Sequence, residues 1–386
     1  MRIALQIEKN RAHGRALLKG IADYALEHTD WQLELVEPEK LRRAAYLSQF
    51  DGLIVRVMDD ATSAALVKSG KPVVDTYGRI DRNPLPSIRL DDAKIAAMAF
   101  AAFRDHHHRS FAYCGFPGLR FSDARGAAFA GCARREGLPV SSYEGASTIA
   151  DTFFRDEKTD VPDRKSLAAW LKSLPKPTAL FCCNDLRAVQ VLTVCTEQGI
   201  SVPNELAVLG VDNDVLLCTF TKPSLSSVET DPFALGRIAA EMLDERLQRP
   251  RKGAGTRGKG IPVRLHEPKK VVERMSMDAY PFRTPWMDEA IRFIGKNLTC
   301  GVTADDVVRH IGYSHPTVNA AFSAELGHTV KREILLRRFR QACLLLKNTS
   351  LPAGEVALRC GFRSPAYFSH SFADEFKMTP DAWRRQ

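Results

Sequence analysis

The sequence contains no uninterrupted run of 18 or more apolar residues, the length that a helix needs to cross a bilayer. It also lacks the basic segment followed by an apolar segment that opens a secretory signal peptide. Residues 3–8 instead have the composition of a buried strand. We therefore expect a cytoplasmic protein without a membrane partner.

The nine cysteines include no Cys-x-x-Cys pair, and their scattered positions do not form a disulfide framework. Cys182 and Cys183 lie in an apolar, strand-like run, where thiols pack as small apolar groups. Residues 106–108 are three consecutive histidines, but no carboxylate or cysteine cluster is spaced to complete a metal site. We interpret them as a solvated helix end and predict no metal and no cofactor.

Motifs of catalysis are missing as well. There is no GxxxxGK[ST] phosphate loop, no GxGxxG after the first strand, no GxSxG elbow and no HExxH helix. Gly14 and Gly20 enclose an amphipathic helical segment rather than a phosphate cradle. The sequence therefore predicts a protein that is not an enzyme.

The positive charge of the chain is concentrated towards its carboxyl end. Over 386 residues the net charge is +9, and the length suggests two or three domains. Residues 1–248 hold 31 basic and 33 acidic side chains, residues 249–284 hold 10 and 3, and residues 285–386 hold 14 and 10. This is where a polyanion-binding module needs its charge.

The first 275 residues alternate strand-like and helix-like segments, which is typical of α/β folds with parallel sheets. Six or more strand–helix units over this length favour two lobes rather than one sheet. Strands are predicted at 3–8, 31–36, 52–57, 72–76, 111–114, 179–183 and 206–211, with closing strands at 261–265 and 270–274. Helices are predicted at 15–26, 91–104, 123–136, 166–173, 186–198 and 232–248.

Polar residues gather after these strands, where open α/β sheets bind their ligands. The candidates with hydrogen-bonding groups are Arg15, Asp75, Asn184, Asp185 and Asp212. Planar carboxylate, amide and guanidinium groups can bind two neighbouring hydroxyls, and their near balance of charge favours a neutral polyol over an anion. Several can equally well cap the following helices, as an aspartate at position 185 would.

The last hundred residues repeat one pattern. Gly312-Tyr313-Ser314 is followed by Phe322, and Gly361-Phe362-Arg363-Ser364 is followed by Phe372. In each copy the glycine can end one helix, the aromatic residue is expected to enter a core, and the serine can cap a second helix. We predict an all-α domain with two helix-turn-helix motifs, at 303–324 and 353–376, that contact double-stranded DNA.

The candidate DNA contacts lie at the start of each second helix. In the first motif they include Asn319, which could contact an adenine edge, while base recognition is expected to depend mainly on the second motif. The full set is Ser314, His315, Pro316, Thr317, Asn319, Ala320, Arg363, Ser364, Pro365, Ala366, Tyr367, Ser369 and His370. Residues 276–284, which contain Pro281 and are followed by Pro285, are the predicted linker between domains 1–275 and 285–386, and residues 249–260 form a basic loop.

Residues 1–275 resemble the effector domain of LacI/GalR regulators and periplasmic sugar-binding proteins. The resemblance is carried by the segments 181–185, 202–213 and 225–228 and by Arg125 with Phe129. It implies a two-lobed periplasmic-binding-protein-like domain that closes on a small ligand, with Asp75, Arg125, Asn184 and Asp212 as contacts. The LacI-type DNA-binding headpiece is not found before the first strand, so we expect DNA binding elsewhere in the chain.

Residues 285–386 resemble the AraC/XylS family of DNA-binding domains. Cys360-Gly361-Phe362, Tyr367-Phe368, Thr379-Pro380 and Trp383-Arg384 carry the resemblance. This order of domains resembles xylose-operon activators, which implies a pentose-responsive activator, a homodimer and contact with RNA polymerase. A different sugar or a sugar acid remains an alternative effector, and a solute-binding transport component remains a remote alternative function.

Overall fold

A computed structural model of the chain describes residues 1–80, 84–145, 161, 163–248, 263–277, 282 and 284–385. The chain divides into two compact units, Met1–Ala279 and Tyr280–Gln386. The division falls inside the predicted linker. Ser276 and Met277, which were predicted to start that linker, are buried in the first unit, and the Ser276 hydroxyl donates to the Val208 carbonyl at 2.6 Å.

The first unit has two six-stranded sheets, one in each lobe, and this confirms the predicted fold class. The first sheet has the order β11-β5-β4-β3-β1-β2, and the second has the order β12-β10-β9-β8-β6-β7. All pairings are parallel except that of β12 with β10. The strands are β1 (Arg2–Gln6), β2 (Gln32–Leu35), β3 (Gly52–Val55), β4 (Val73–Asp75), β5 (Ser87–Leu90), β6 (Phe111–Cys114), β7 (Val140–Ser142), β8 (Thr178–Cys182), β9 (Leu206–Asp212), β10 (Ser226–Glu229), β11 (Val263–His266) and β12 (Lys270–Val272).

Helices cover these sheets because their apolar faces bury against the strands. Those of the first unit are α1 (Ala12–His28), α2 (Ala44–Leu47), α3 (Asp60–Lys68), α4 (Asp92–Asp105), α5 (Arg120–Arg135), α6 (Arg164–Ser173), α7 (Asp185–Gln198), α8 (Val215–Phe220) and α9 (Pro232–Gln248). Short 3-10 turns occupy Pro38–Arg42 and Met275–Met277. No helix in the described part of the chain is long and apolar enough to span a bilayer.

Three crossings connect the lobes. They lie between β5 and α4, between β10 and α9, and between β11 and β12. Hydrogen bonds join them: the Asp91 amide donates to the His266 carbonyl and the Lys269 amide donates to the Glu229 carbonyl, each at 2.8 Å. The two predicted closing strands therefore exist, but each belongs to a different sheet. The basic loop 249–260 and residues 261–262 lie outside the described residues.

The interpretation of the three histidines at 106–108 as a solvated helix end was wrong. His106 and His108 are 5% and 1% exposed, so this helix end is buried rather than solvated. The run packs into the second lobe, where the Phe103 and His108 rings meet edge to face with centroids 5.8 Å apart. Among the described residues no group of His, Cys, Asp and Glu side chains could hold a metal ion. All nine cysteines fall within those residues and are free thiols.

The second unit is helical. Its helices are α10 (Met287–Asn297), α11 (Ala304–Ile311), α12 (His315–Leu326), α13 (Val330–Asn348), α14 (Ala353–Arg359), α15 (Pro365–Phe376) and α16 (Pro380–Arg384). One apolar core lies under α12 and a second under α15. The long helix α13 contributes to both, through Ile334 in the first core and Phe339 in the second.

Both helix-turn-helix motifs are present, with α11 and α12 forming the first and α14 and α15 the second. Thr303 and Asp306 form the predicted capping box, and Ser314 and Ser364 cap α12 and α15. Phe362 is 2% exposed, as expected of the aromatic residue after the glycine. Tyr313, its counterpart, is 49% exposed and stacks on Trp286 instead of entering the core, so that expectation was wrong for the first motif.

Candidate functional site

A cavity of about 110 Å³ lies between the two lobes of the first unit, at the carboxyl ends of their strands. We call it the interlobe cavity. The first lobe supplies Ile7, Glu8, Arg11, His13, Gly14, Leu17, Arg56, Thr76, Tyr77, Arg89, Leu90 and Leu235. The second lobe supplies Asp92, Arg120, Phe121, Arg125, Asn184 and Asp212. This is where parallel α/β sheets place their ligands.

The wall of the first lobe is built around one carboxylate. Glu8 follows β1 and forms ion pairs with Arg11, at 3.0 Å, and with Arg56. The Arg56 guanidinium also lies over the ring of Tyr77, with 4.2 Å to the ring centroid. Its stacking on the aromatic face and its pairing with Glu8 hold the guanidinium plane in one orientation.

A similar group forms the wall of the second lobe. Asp92, at the start of α4, accepts from Arg125 Nε at 3.0 Å and from Arg120 at 3.2 Å. Arg125 also donates to the Cys183 carbonyl at 2.5 Å, and its guanidinium lies 5.1 Å from the Phe121 ring centroid. Arg125 is only 3% exposed, so the pairing with Asp92 compensates the burial of its charge.

Asp212 and His13 approach each other from opposite lobes. Their nearest side-chain atoms, Oδ1 and Nδ1, are 3.9 Å apart. Burial, assisted by the charge of Arg56, lowers the pKa of His13 to about 4. The imidazole is therefore neutral at pH 7, and this approach is not an ion pair. Burial raises the pKa of Asp212 to about 6, although Arg125 and Arg11 act in the opposite direction.

The raised pKa of Asp212 predicts a pH-dependent stability. A carboxyl that binds its proton more tightly in the folded state stabilises the fold fully below its unfolded pKa, near 4, and this contribution is lost as pH rises through about 6. Asp212→Asn removes the titration. We expect the free energy of unfolding of the parent to fall by roughly 2 kcal/mol relative to this variant between pH 4 and pH 7, measured by urea unfolding without effector.

The matched control for this prediction is Asp30→Asn, which removes an exposed carboxyl of the same unit outside the cavity. Asparagine suits position 212 because its backbone has φ +107°, a region that Asn tolerates better than most side chains. If the free energy of unfolding changed with pH in the same way for the parent and for Asp212→Asn, Asp212 would be ionised as readily in the folded chain as in the unfolded chain. That result would contradict the prediction.

Asn184 lies at the cavity wall while it also caps a helix. It is the N-cap of α7, and its Oδ1 accepts from the Arg187 amide at 2.9 Å. This bond determines which end of the carboxamide is the oxygen. The Cys183 thiol also donates to this oxygen, at 3.8 Å, so the Nδ2 donor end is the part of the carboxamide that remains available to a molecule in the cavity.

Asp75 was predicted to contact effector, but the structure does not place it among the cavity-lining residues. It is fully buried, and its carboxylate accepts from the amides of Val57 at 3.2 Å, Tyr77 at 3.0 Å and Gly78 at 3.1 Å. Asp75 thus fixes the loops that follow β3 and β4. Its connection to the cavity is indirect, through the position of Tyr77.

Asp185 and Arg15 are likewise outside the cavity wall. Asp185 is 1% exposed and accepts from the Asp214 amide at 2.8 Å and from the Ser227 hydroxyl at 2.5 Å. It thereby ties the start of α7 to the ends of β9 and β10. Arg15 is exposed on α1 and donates to the Lys9 and Asn10 carbonyls, at 3.3 and 2.6 Å. Of the six predicted contacts, the cavity brings together Arg125, Asn184 and Asp212.

Several lining residues were not predicted, among them Glu8, Arg11, Asp92 and Arg120. Glu8 and Arg11 follow β1 and could have been found by the rule that identified the other strand ends. Asp92 and Arg120 begin α4 and α5, where a charged residue usually indicates only a helix start. Among the described lining residues there are five arginines and three carboxylates, whereas the candidates from the sequence were nearly balanced in charge.

The predicted contacts of the first helix-turn-helix motif lie at the start of α12. Ser314, His315, Pro316, Thr317 and Ala320 are exposed there. Asn319 is partly buried, and its Oδ1 accepts from the Val330 amide at 3.3 Å, at the start of α13. This hydrogen bond engages one of the two lone pairs of the oxygen that a two-bond contact to adenine would need, and that contact stays a prediction.

The predicted contacts of the second motif lie at the start of α15, where the Ser364 hydroxyl accepts from the Tyr367 amide and His370 Nε2 lies 3.4 Å from Asp374 Oδ2. All seven are exposed: Arg363, Ser364, Pro365, Ala366, Tyr367, Ser369 and His370. Neither α12 nor α15 contains a lysine or arginine. Arg332 on α13 forms a two-bond pair with Glu375 of α15, at 2.8 and 2.6 Å, and Arg338 donates to the Val302 carbonyl at 2.8 Å. These two arginines join the halves of the unit.

Comparisons with known proteins agree with this architecture. A family model described as a periplasmic binding protein-like domain matches residues 100–277, and one described as a helix-turn-helix domain matches residues 307–386. The xylose operon regulatory protein of Escherichia coli (strain K12) is 27% identical over 394 residues, which cover 99% of this chain and 96% of that protein. The protein of the same name from Haemophilus influenzae (strain ATCC 51907 / DSM 11121 / KW20 / Rd) is 28% identical over 393 residues, with coverages of 99% and 98%.

A solved structure extends the similarity to both units. It is described as xylose-binding transcription activator xylR, and it matches with a TM-score of 0.62 and 26% identity over 100% of this chain and 97% of that chain. These relatives are transcription regulators rather than enzymes. The chain thus has a periplasmic-binding-protein-like domain followed by an AraC-type helix-turn-helix domain, and over nearly its whole length it is similar to DNA-binding transcription regulators.

Proposed function

We propose that the interlobe cavity binds a small sugar-like effector of pentose size and that this binding controls transcription through the second unit. The observation that carries the proposal is the cavity itself. Its wall combines hydrogen-bonding side chains, Asn184 and Asp212 among them, with the rings of Tyr77 and Phe121. Polar groups that converge beside aromatic rings suit a polyol, which offers both hydroxyls and a C–H face. The names of the relatives make xylose the first candidate.

The three crossings give such a ligand a way to act. A ligand that contacts both lobes favours the arrangement in which both sets of contacts form together. Asp212 and His13 belong to different lobes and already lie 3.9 Å apart, so one small molecule can contact both. The same interactions would be lost if the lobes moved apart, and this difference is what a regulator needs in order to respond.

The exposed starts of α12 and α15 contact promoter DNA, with Arg125, Asn184 and Asp212 as effector contacts in the first unit. The chain acts in the cytoplasm as a homodimer on repeated half-sites, and it activates pentose catabolic genes by contact with RNA polymerase. The similarity to named xylose operon regulators supports these points.

The test combines two measurements on the purified full-length chain. Thermal melting with pentoses, hexoses, sugar acids and sugar phosphates is expected to identify a stabilising ligand, since a ligand at one hundred times its Kd adds about 2.7 kcal/mol. Binding to DNA from upstream of the regulated genes is expected to weaken steeply between 50 and 200 mM salt and to change when that ligand is added. Ligand binding without any DNA binding would instead support a solute-binding transport component.

A further inference from the structure

Two neighbouring residues at the end of β9 have backbone conformations that residues other than glycine rarely adopt. Asp212 has φ +107° and Asn213 has φ +51°, and in the described part of the chain no other two consecutive non-glycine residues have positive φ. Asn and Asp tolerate this region better than most residues, but such strain persists only where the surrounding structure holds it, typically at ligand clamps and switch segments. Asp212 lines the interlobe cavity, so the strained pair lies where a ligand and the backbone meet.

Two contacts hold Asn213 in this conformation. Its amide donates to the Ser227 hydroxyl at 2.9 Å, and its side-chain Oδ1 accepts from Arg274 Nη2 at 2.8 Å. The same guanidinium donates through Nη1 to the Leu225 carbonyl at 2.8 Å, so two hydrogen bonds from different nitrogens fix its plane. Arg274 therefore holds the residue that follows Asp212 in place.

Arg274 also begins the segment through which the chain leaves the first unit, which ends at Ala279. We call residues 274–277 the exit segment. The Arg274 amide donates to the Ser226 hydroxyl at 2.7 Å, and this hydroxyl donates to the Arg274 carbonyl at 3.0 Å. The Ser276 hydroxyl accepts from the Ser226 amide at 2.8 Å and donates to the Val208 carbonyl of β9. The exit segment is thus joined to β9 and β10, and through the Arg274 side chain it also contacts the strained pair.

We infer that Arg274 is a positioning residue that couples effector binding at Asp212 to the exit segment, and through it to DNA binding. The inference rests on the proposed function, because it takes Asp212 as an effector contact. Arg274 does not line the cavity, so it acts through Asn213. A ligand that hydrogen-bonds to Asp212 favours one conformation of the strained pair. The guanidinium bound to Asn213 follows that conformation, and the exit segment follows the guanidinium. Without this contact the ligand still binds, but the exit segment does not respond.

The experiment measures the coupling between sugar binding and DNA binding in the full-length chain. The probes are the upstream DNA duplex and xylose, which is replaced by another sugar of the melting screen if that sugar and not xylose stabilises the chain. The factor by which the sugar changes the affinity for the duplex equals the factor by which the duplex changes the affinity for the sugar. For the parent we expect this coupling factor to be about fivefold or more.

Asn213→Gly removes the acceptor for Arg274 without adding strain, because glycine adopts a φ of +51° at no steric cost. We expect the coupling factor to fall to within about twofold of unity. The affinity for the sugar should change by less than about tenfold, because Asp212 is kept. Arg274→Met removes the donor of the same contact and should reduce the coupling factor equally. In the double variant the two losses should not add.

His107→Gly is the matched control. His107 belongs to the same lobe, has φ +62° and does not line the cavity. Its replacement repeats the backbone change of Asn213→Gly and leaves the contact between Asn213 and Arg274 in place. The coupling factor and the sugar affinity should both stay at the values of the parent. Thermal melting of each variant without sugar measures whether its fold is kept.

The outcomes separate this inference from the proposed function. A coupling factor like that of the parent in Asn213→Gly or in Arg274→Met overturns the inference and leaves the proposed function standing. An equal loss of coupling in His107→Gly overturns it as well. A loss of sugar affinity greater than about tenfold in Asn213→Gly would assign the contact to binding instead of coupling. If no sugar of the screen binds the parent, or if the bound sugar does not change its affinity for DNA, the proposed function fails and the inference fails with it.

Discussion

Asp212→Ala is expected to weaken effector binding at least 100-fold while the chain still binds DNA. Asp212 ends β9 at the cavity wall, with 28% of its side chain exposed, and its carboxylate can accept from two hydroxyls. Hydrogen bonds to a charged group each contribute about 1.5–3 kcal/mol, so the loss of two exceeds 2.8 kcal/mol, which corresponds to the factor of 100. Calorimetry with the ligand from the screen measures the first effect, and DNA titration measures the second.

The backbone conformation of residue 212 determines which controls this prediction needs. Alanine is strained at φ +107°, by about 1 kcal/mol, so the stability of the variant must be measured beside its affinity. Asp212→Asn is tolerated better at positive φ and keeps one acceptor, and we expect an affinity between those of the parent and the alanine variant. Loss of effector binding together with DNA binding and thermal stability would assign Asp212 a structural role instead.

Gly361→Ala is expected to lower the free energy of unfolding of the second unit by about 3 kcal/mol or more. As a result, the variant should no longer bind DNA at temperatures just below the melting temperature of the parent. Gly361 has φ +78°, and a Cβ atom there would lie 2.0 Å from the Leu298 carbonyl oxygen. The conformational strain of about 1 kcal/mol therefore adds to a backbone clash that no rotamer change can relieve. Hydrogen exchange of the full-length chain, read over α10 and α14, measures the loss of protection.

The first motif supplies a matched control for this substitution. Gly312 ends α11 with φ +77°, nearly the conformation of Gly361, but a Cβ atom there meets nothing within 4 Å. Gly312→Ala should thus cost only the conformational strain. Similar losses of protection for both variants would mean that the contact with Leu298 adds nothing, and that backbone conformation alone explains the requirement for glycine.

The helical unit was predictable because its signals are local. Glycines at 312 and 361 and the caps Thr303, Ser314 and Ser364 mark helix ends within a few residues of the helices they affect. Even here Tyr313 departed from its repeat, because its environment depends on Trp286, which the pattern does not include. Local signals determine where a helix starts and do not determine what covers a given side chain.

The cavity was only partly predictable for the same reason. The strand-end rule identified Asn184 and Asp212, but it also selected Asp75 and Asp185, whose oxygens are occupied by backbone amides or a serine hydroxyl. A carboxylate after a strand looks alike in the sequence whether it accepts from a ligand or from a loop. Arg120 and Asp92 come from two helix starts that meet only in the folded lobe. Their shared charge therefore had no counterpart in the sequence pattern.

The helix α13 has a consequence for the promoters that such a chain can use. One uninterrupted helix of 19 residues, about 28 Å long, contributes to both cores of the second unit. It therefore fixes the distance between the two motifs. Each base pair inserted into DNA turns the following bases by roughly one-tenth of a turn. Target sites should therefore tolerate single-base substitutions far better than the insertion or deletion of a single base pair between the two segments that the motifs contact.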